Sequence, residues 1–222
     1  MQNKKGVFIV IDGTDGSGKK TQSELLVSHL KDEGQEVLSV TFPRYGHSSA
    51  TLVEMYLGGD FGQDANAINP YVVSSFYAAD RFAHKEEIIE ALSMGKIVVA
   101  DRYVASNMAH QGSKIEDKEQ RKQYLKWLYD FEFTKAQIPK PDLNVILHVP
   151  TEISMKLVTD RGENKDIHEK DERHIKAAEE TYLSIADIFD DFAVIECVKD
   201  NQIMSREDIH EMVWKKIEKM IS

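Results

Sequence analysis

Val7-Phe-Ile-Val-Ile11 followed by Asp12-Gly-Thr-Asp-Gly-Ser-Gly18-Lys19 is the stretch on which the reading of this chain turns. The first five residues are continuously apolar and short, the signature of a buried parallel strand. A glycine-rich turn follows. Helical spacing then runs from about Lys19 to Glu33, with Leu25, Leu26 and Leu30 on one face and Gly34 as its stop. Gly13, Thr14, Asp15, Gly16, Ser17, Gly18 and Lys19 fit the G-x-x-x-x-G-K spacing of a phosphate-binding loop. The physics requires this context. Glycines let successive N–H groups converge on one anion, and the helix N-terminus adds partial positive charge. Lys19 is placed to reach the outer phosphates of a nucleotide. One position departs from the pattern: a Ser or Thr hydroxyl normally follows the lysine to bind Mg²⁺, and here Lys20 stands there, with Thr21 one residue on.

Outward from this loop, strand and helix patterns alternate. Further strands are expected at Glu36–Phe42, Lys96–Ala100, Leu143–Val149 and Phe192–Val198. Helices are expected at Pro70–Ser93, from Glu116 to about Thr134, and from Thr151 to Gly162. Ile175, Ala178, Tyr182, Ile185 and Phe189 mark another amphipathic helix, and Ser205-Arg-Glu-Asp208 resembles a capping box opening the last one. The alternation predicts an α/β P-loop fold: a five-stranded parallel sheet with helices on both faces, in one domain spanning residues 1–222. The polar stretch within about 159–172 reads as a short lid.

The bulk numbers narrow the partners. Of 222 residues, 41% are hydrophobic and 30% charged, which suits a globular domain with a solvated surface. A net charge of −10 opposes a nucleic-acid polymer, while leaving room for a few local cations to hold one phosphate. Cys197 is the one cysteine, so no internal disulfide forms, and its apolar neighbours predict a core thiol. The apolar run at Val7–Ile11 is too short for a signal sequence or membrane span. A cytoplasmic protein without a membrane partner is expected.

Several further motifs resemble the thymidylate kinase family, in order and along nearly the whole chain: Thr41-Phe-Pro-Arg-Tyr45, Ser75-Phe-Tyr-Ala-Ala-Asp-Arg81, Asp101-Arg-Tyr-Val-Ala-Ser-Asn107, Pro141-Asp-Leu143, and Gly162 to Tyr182 with Asp166-Ile-His-Glu169. The resemblance implies Mg²⁺-dependent transfer of phosphate from ATP to dTMP, and commonly a homodimer.

Residue chemistry agrees with these roles. Arg44 follows a strand at the sheet edge where α/β ligands bind, and an arginine there can fork onto a phosphate; the resemblance gives it the acceptor monophosphate. Tyr77 and Arg81 are four apart on one helix face, so a ring can stack on a base while a guanidinium meets its carbonyl edge. Spacing alone favours a core tyrosine and a surface Arg81–Asp80 ion pair; the resemblance, which sets the thymine ring on this aromatic and its carbonyl near this arginine, reverses that. Asp101 ends a strand beside the loop and can hold Mg²⁺ directly or through water. Arg102 can bridge donor and acceptor phosphates. Asn107 offers a donor and an acceptor to a base edge, with Gln111 facing the base as well. By resemblance, Asp15 faces the sugar 3′-hydroxyl. His110 stands where the family usually has Tyr or Phe near the sugar, a departure that bears on rejection of the ribonucleotide. Gly16 replaces a loop arginine found in part of the family, which implies a catalytic lid arginine: Arg161, with Lys165 and Arg173 as reserves. Two rival readings stay open: a kinase of the same fold for another (deoxy)nucleotide or deoxynucleoside, and a nonenzymatic nucleotide-binding protein with a degenerate loop.

Overall fold

The computed structural model describes residues 5–14, 16–62, 64–155 and 172–221. Strand β1 (Val7–Gly13) lies at the middle of the sheet and is almost wholly buried. Its side chains alternate between two cores, as the period of two demands. Phe8 and Val10 enter one and Ile9 and Ile11 the other. Full burial of each such side chain stabilises by about 1.5–3 kcal/mol.

With β2 (Val37–Thr41), β3 (Ile97–Asp101), β4 (Leu143–His148) and β5 (Phe192–Glu196), the sheet order is β2-β3-β1-β4-β5. Every pairing is parallel. Helices α1 (Lys19–Asp32) and α9 (Arg206–Ile221) cover one face, through Leu26, Leu30, Val213 and Ile217. The other face is covered by α5 (Val104–Gly112), α6 (Lys118–Tyr129) and α8 (Glu172–Ile188), through Met108, Leu125 and Tyr182. The register sets Ile11 against Asp101 and Asp12 against Ile146, so all carboxyl ends emerge along one edge. In open α/β sheets that edge holds the ligand.

The expected five-stranded parallel sheet is present, and the details differ in instructive places. Pro70–Ser93 is two helices, α3 (Pro70–Ala83) and α4 (Lys85–Ser93), broken at His84 with φ −112° and ψ 7°. No proline or glycine marks that break. His84 is held from outside, its Nε2 3.1 Å from Ser49 Oγ and its ring edge-on to Phe42 and His47, and tertiary contact overrides a continuous pattern. The fifth strand stops at Glu196 rather than Val198. Val198–Lys199 (β6) turns back on Gln202–Ile203 (β7) as a small hairpin, and Cys197 between them is a buried free thiol pushed up to about 12 by burial. Helix α2 (Thr51–Gly58) and helix α5 fall on segments with no helical expectation. Of the helix expected from Thr151 to Gly162, residues 151–155 are helical (α7); the rest of that expectation and most of the expected lid fall outside the described residues. The Ser205 cap is as expected: Asp208 N–H donates to Ser205 Oγ at 3.0 Å.

Candidate active site

The loop between β1 and α1 owes its path to three glycines at positive φ, Gly13, Gly16 and Gly18. Gly13 has φ +143°, and a Cβ on it would meet the Leu147 carbonyl oxygen at 2.4 Å, so no side chain fits. Gly18 caps α1 in the left-handed conformation, φ 86°. Ser17 N–H donates to the Thr14 carbonyl at 3.2 Å, curling the loop. Lys19 Nζ donates to the same oxygen at 2.6 Å, which keeps the ammonium inside the curl. Lys20 is exposed and Thr21 half-buried. Asp15 lies outside the described residues.

Asp12 anchors this loop to the rest of the edge. Its Oδ1 accepts from Gly13 N–H (2.9 Å), Ser106 Oγ (2.7 Å) and Tyr182 Oη (2.7 Å); its Oδ2 accepts from Tyr103 N–H (3.1 Å) and Ser106 N–H (3.0 Å). A carboxylate has about four lone-pair sites. Five donors saturate it, so Asp12 fixes geometry and has no oxygen left for a metal. Asp101 differs. Its Oδ1 is buried without a hydrogen-bond partner. Burial raises the Asp101 pKa, and the cations of Arg102, Lys19 and Lys20 work against that rise. An open carboxylate oxygen beside a phosphate loop fits Mg²⁺, which needs one or two protein carboxylates and keeps its remaining waters. Arg102, next in the chain, holds φ 64°, a left-handed conformation that costs a non-glycine residue about 1–3 kcal/mol and occurs most often at functional sites.

Arg44 is fixed from two sides. Its N–H donates to Asp80 Oδ2 at 2.8 Å, and Nη2 pairs with Glu87 at 2.5 Å. Its Nε is buried and has no partner. Ser49 Oγ holds the other Asp80 oxygen at 2.6 Å. Asp80 therefore serves Arg44, not Arg81.

Arg81 is 2% exposed, and its fork closes on Glu132, itself fully buried. Nε donates to Glu132 Oε2 at 2.6 Å, and Nη2 donates to Oε1. The ion pair with Asp80 that spacing allows does not form. Burial lowers the Arg81 pKa, and the Glu132 carboxylate more than offsets this, leaving it raised. The net-neutral pair suits a neutral base edge better than a phosphate. Asn107 joins the same carboxylate: Nδ2 donates to Glu132 Oε1 at 3.1 Å and to the Ser74 carbonyl at 3.2 Å. Asn107 Oδ1 and both amide ends of Gln111 are buried without partners. Tyr77, half-buried, packs beside Tyr56 and Val73 one turn before Arg81, and Phe76 packs in the same cluster. His110 stacks on His174, centroids 5.8 Å apart, and meets Tyr182 edge-on.

Buried polar atoms in folded proteins almost always find partners. Here Ser17 Oγ, Arg44 Nε, Asp101 Oδ1, Asn107 Oδ1 and the Gln111 amide lack them, on residues that the sequence assigns to ligands; Gln22 Oε1 and Ser23 Oγ on α1 and His210 Nδ1 on α9 lack them too, on residues with no such assignment. Hydrogen bonds tie these residues into one edge: Asp12 joins the loop to 103–106, the Phe42 N–H joins the Arg44 turn to Asp101, and Glu132 joins α3 to α5. Arg161 and Lys165 lie outside the described residues; Arg173 is exposed at the start of α8. The sequence reading missed Asp80, Glu132 and the Asp12–Tyr182 bond. Glu132 had a signal: it follows Arg121, Leu125 and Leu128 on the buried stripe of α6, between Phe131 and Phe133.

Comparison with known proteins bears on this geometry. A family model described as thymidylate kinase matches residues 11–209. A probable thymidylate kinase of Pyrococcus horikoshii is 32% identical over 207 residues, 93% of each chain. The thymidylate kinase of Mycobacterium tuberculosis strain H37Rv is 33% identical over 172 residues, 74% of this chain and 78% of that one. The solved thymidylate kinase of Candida albicans superposes with a TM-score of 0.75 at 21% identity, covering 97% of this chain and 92% of that one.

Proposed function

This chain belongs to the thymidylate kinase family, and from that membership we propose how its own residues carry out the reaction. The activity is phosphorylation of dTMP to dTDP with ATP as donor. The rival readings, another acceptor or a nonenzymatic nucleotide binder, are not favoured by these matches.

The loop amides of residues 13–18 and the Lys19 ammonium bind the donor phosphates. Arg44 binds the acceptor phosphate, oriented by Asp80 and Glu87. Tyr77 stacks on the thymine ring, and Arg81, Asn107 and Gln111 meet its polar edge. Arg102 lies between the two phosphates and neutralises charge that spreads over the transferring group. Asp101 holds Mg²⁺, directly or through water; when bound, the ion neutralises the donor phosphate oxygens. Positioning and charge stabilisation supply most of the catalysis, because phosphoryl transfer asks little covalent chemistry of the protein.

The observation that carries this reading is the row of buried, unpartnered polar atoms from Ser17 to Gln111 along the carboxyl edge. The test is ADP release from Mg²⁺–ATP with and without dTMP. A dTMP-dependent rate at least tenfold over background is expected. ADP release indifferent to dTMP would falsify the assignment.

Two coarser expectations extend it. A homodimer is supported by membership of the family alone. A cytoplasmic site of action is supported by the nucleotide substrates, and no helix among the described residues is long and apolar enough to cross a membrane.

A further inference from the structure

Among the described residues no hydrogen bond joins Glu132 to the phosphate loop, and no sequence motif assigns it a role. It is fully buried in the π-helical turn Asp130–Lys135 that ends α6. Such turns insert an extra residue into a helix and often re-aim a functional side chain. Its carboxylate receives Arg81 through two nitrogens and Asn107 through Nδ2.

The consequence falls on Asn107. An amide has a donating end and an accepting end, and its neighbours decide which way it faces. One neighbour of Nδ2 is the Glu132 carboxylate at 3.1 Å and the other is the Ser74 carbonyl at 3.2 Å. Both only accept. Turning the amide over would set Oδ1 against two acceptors, one of them charged. Both Nδ2 hydrogens are thus spent on protein, and the atom left without a partner is the acceptor Oδ1, in a residue 2% exposed. One turn further along the same face of α5, Gln111 is fully buried with both amide ends unpartnered.

We propose that Glu132 is a positioning residue that locks the Asn107 amide with its oxygen toward the acceptor base, so that the site selects a pyrimidine with an N3–H donor over one with an N3 lone pair. The inference rests on the reading of this edge as the acceptor site. Thymine and uracil present N3–H to Oδ1. Cytosine presents a lone pair to the same oxygen, and the two repel. Arg81 contributes by pairing with Glu132 through two nitrogens, which orients the carboxylate. Loss of the carboxylate removes the reason for one amide orientation: a glutamine at 132 can donate to Oδ1, letting Nδ2 turn toward the base and satisfy cytosine.

The test compares dUMP with dCMP, which differ only at the edge in question. In wild type, kcat/KM for dUMP exceeds that for dCMP by at least about 10²-fold, since a site built around a donor leaves its acceptor unpaired with the wrong base. In Glu132→Gln that ratio falls at least tenfold. A structural role alone would lower both rates together and leave the ratio where it was, which overturns the proposal. If Glu132→Gln loses its thermal transition, the same ratio is read in Glu132→Asp, which keeps Arg81 in place with a carboxylate to pair while withdrawing the oxygen from Asn107; an unchanged ratio there overturns the proposal. Wild type gives a check without substitution: 3-methyl-dTMP, which lacks N3–H, binds at least about tenfold more weakly than dTMP by calorimetry. Equal binding also overturns the proposal. Absence of any dTMP turnover in wild type would remove the acceptor-site reading itself; dTMP turnover with an unchanged ratio removes only the role of Glu132.

Discussion

The donor loop and the acceptor wall lie on one sheet edge and hold polar ligands by opposite means. The loop uses backbone. Its N–H groups come from consecutive residues, and its shape rests on glycines at 13, 16 and 18. The wall uses side chains from separate elements: Arg44 after β2, Arg81 on α3, Asn107 and Gln111 on α5, Glu132 at the end of α6. On the proposed reading the loop selects phosphate and is indifferent to the rest of the ligand, and the wall carries the selectivity; the wall is held by buried pairs such as Arg81–Glu132. A backbone site tolerates change in its neighbours; a side-chain site fails when a support is removed.

If that contrast holds, the largest effect comes from the loop's one essential side chain. Lys19→Ala is expected to lower kcat by roughly 10²-fold or more, the scale of other lost charge stabilisers. The fold should survive, because the ammonium's bond to the Thr14 carbonyl serves the loop and not the core. Stopped-time ADP assays beside a thermal melt check both halves. Near-normal turnover in a folded variant would remove the loop from the mechanism.

Arg44→Ala tests the wall in the same way, with a smaller effect. A charge-assisted fork is worth about 1.5–3 kcal/mol, so dTMP affinity should fall about 10- to 10²-fold while ATP affinity stays close to wild type. Calorimetry with each nucleotide separates the two. Equal weakening of both ligands would mean that donor and acceptor sites are not distinct at Arg44. Asp80, which orients Arg44 through its N–H, should reproduce a milder form of the dTMP defect as Asp80→Asn.

Legibility followed the same division. The loop was complete in thirteen consecutive residues, from Val7 to Lys19, because backbone recognition needs only local sequence. The sheet was legible for a related reason: buried parallel strands are short apolar runs, and β1, β3 and β4 stand out as such. The wall was not legible from spacing. Arg81 lies next to Asp80 in sequence and pairs with Glu132, 51 residues away. Only resemblance to a family brought Arg44, Tyr77, Arg81 and Asn107 together on paper. The break at His84 was hidden because its cause, contact with Ser49, Phe42 and His47, lies in another part of the chain.

The two regions also differ in how pH reaches them. In the wall, Arg81 does not lose its proton near neutrality. On the donor side, α8 is fastened to the ends of β4 and β5 through His148, whose Nε2 lies 2.9 Å from Glu179 and Nδ1 2.6 Å from Glu196. Burial lowers the His148 pKa, but the two carboxylates outweigh it and leave the folded-state value raised. The unfolded value is about 6.5. A raised histidine contributes stability that is fully present below the unfolded pKa and lost as pH rises through the folded one. His148→Gln should therefore cost roughly 1–2 kcal/mol below about pH 6.5, a drop of about 2–8 °C in Tm, and progressively less above it. Melts of wild type and variant that run parallel across this range would mean that the histidine does not carry charge in the fold.

The smallest effect is expected where the loop departs from its own pattern. An ammonium at position 20 cannot ligate Mg²⁺ and repels it. Lys20 is exposed on the first turn of α1, which moves its charge into solvent, where water and counterions screen it. Thr21 does not replace the missing hydroxyl, since adjacent helical residues point in different directions. Asp101, whose buried Oδ1 has no protein partner, would then hold the ion together with nucleotide oxygens and water, and a water could take the place of the hydroxyl. Exchanging one ligand for a water costs the backbone loop little, because the loop and not the metal shell supplies most of the phosphate contacts. Wild type should be active and should need more free Mg²⁺ for half-maximal rate than Lys20→Thr, by about threefold, under 1 kcal/mol. Titration of rate against free Mg²⁺ at saturating ATP and dTMP reads this directly. A Lys20→Thr variant that gains orders of magnitude in kcat would show the loop to be disabled by its lysine, and the tolerance ascribed to backbone recognition would be wrong.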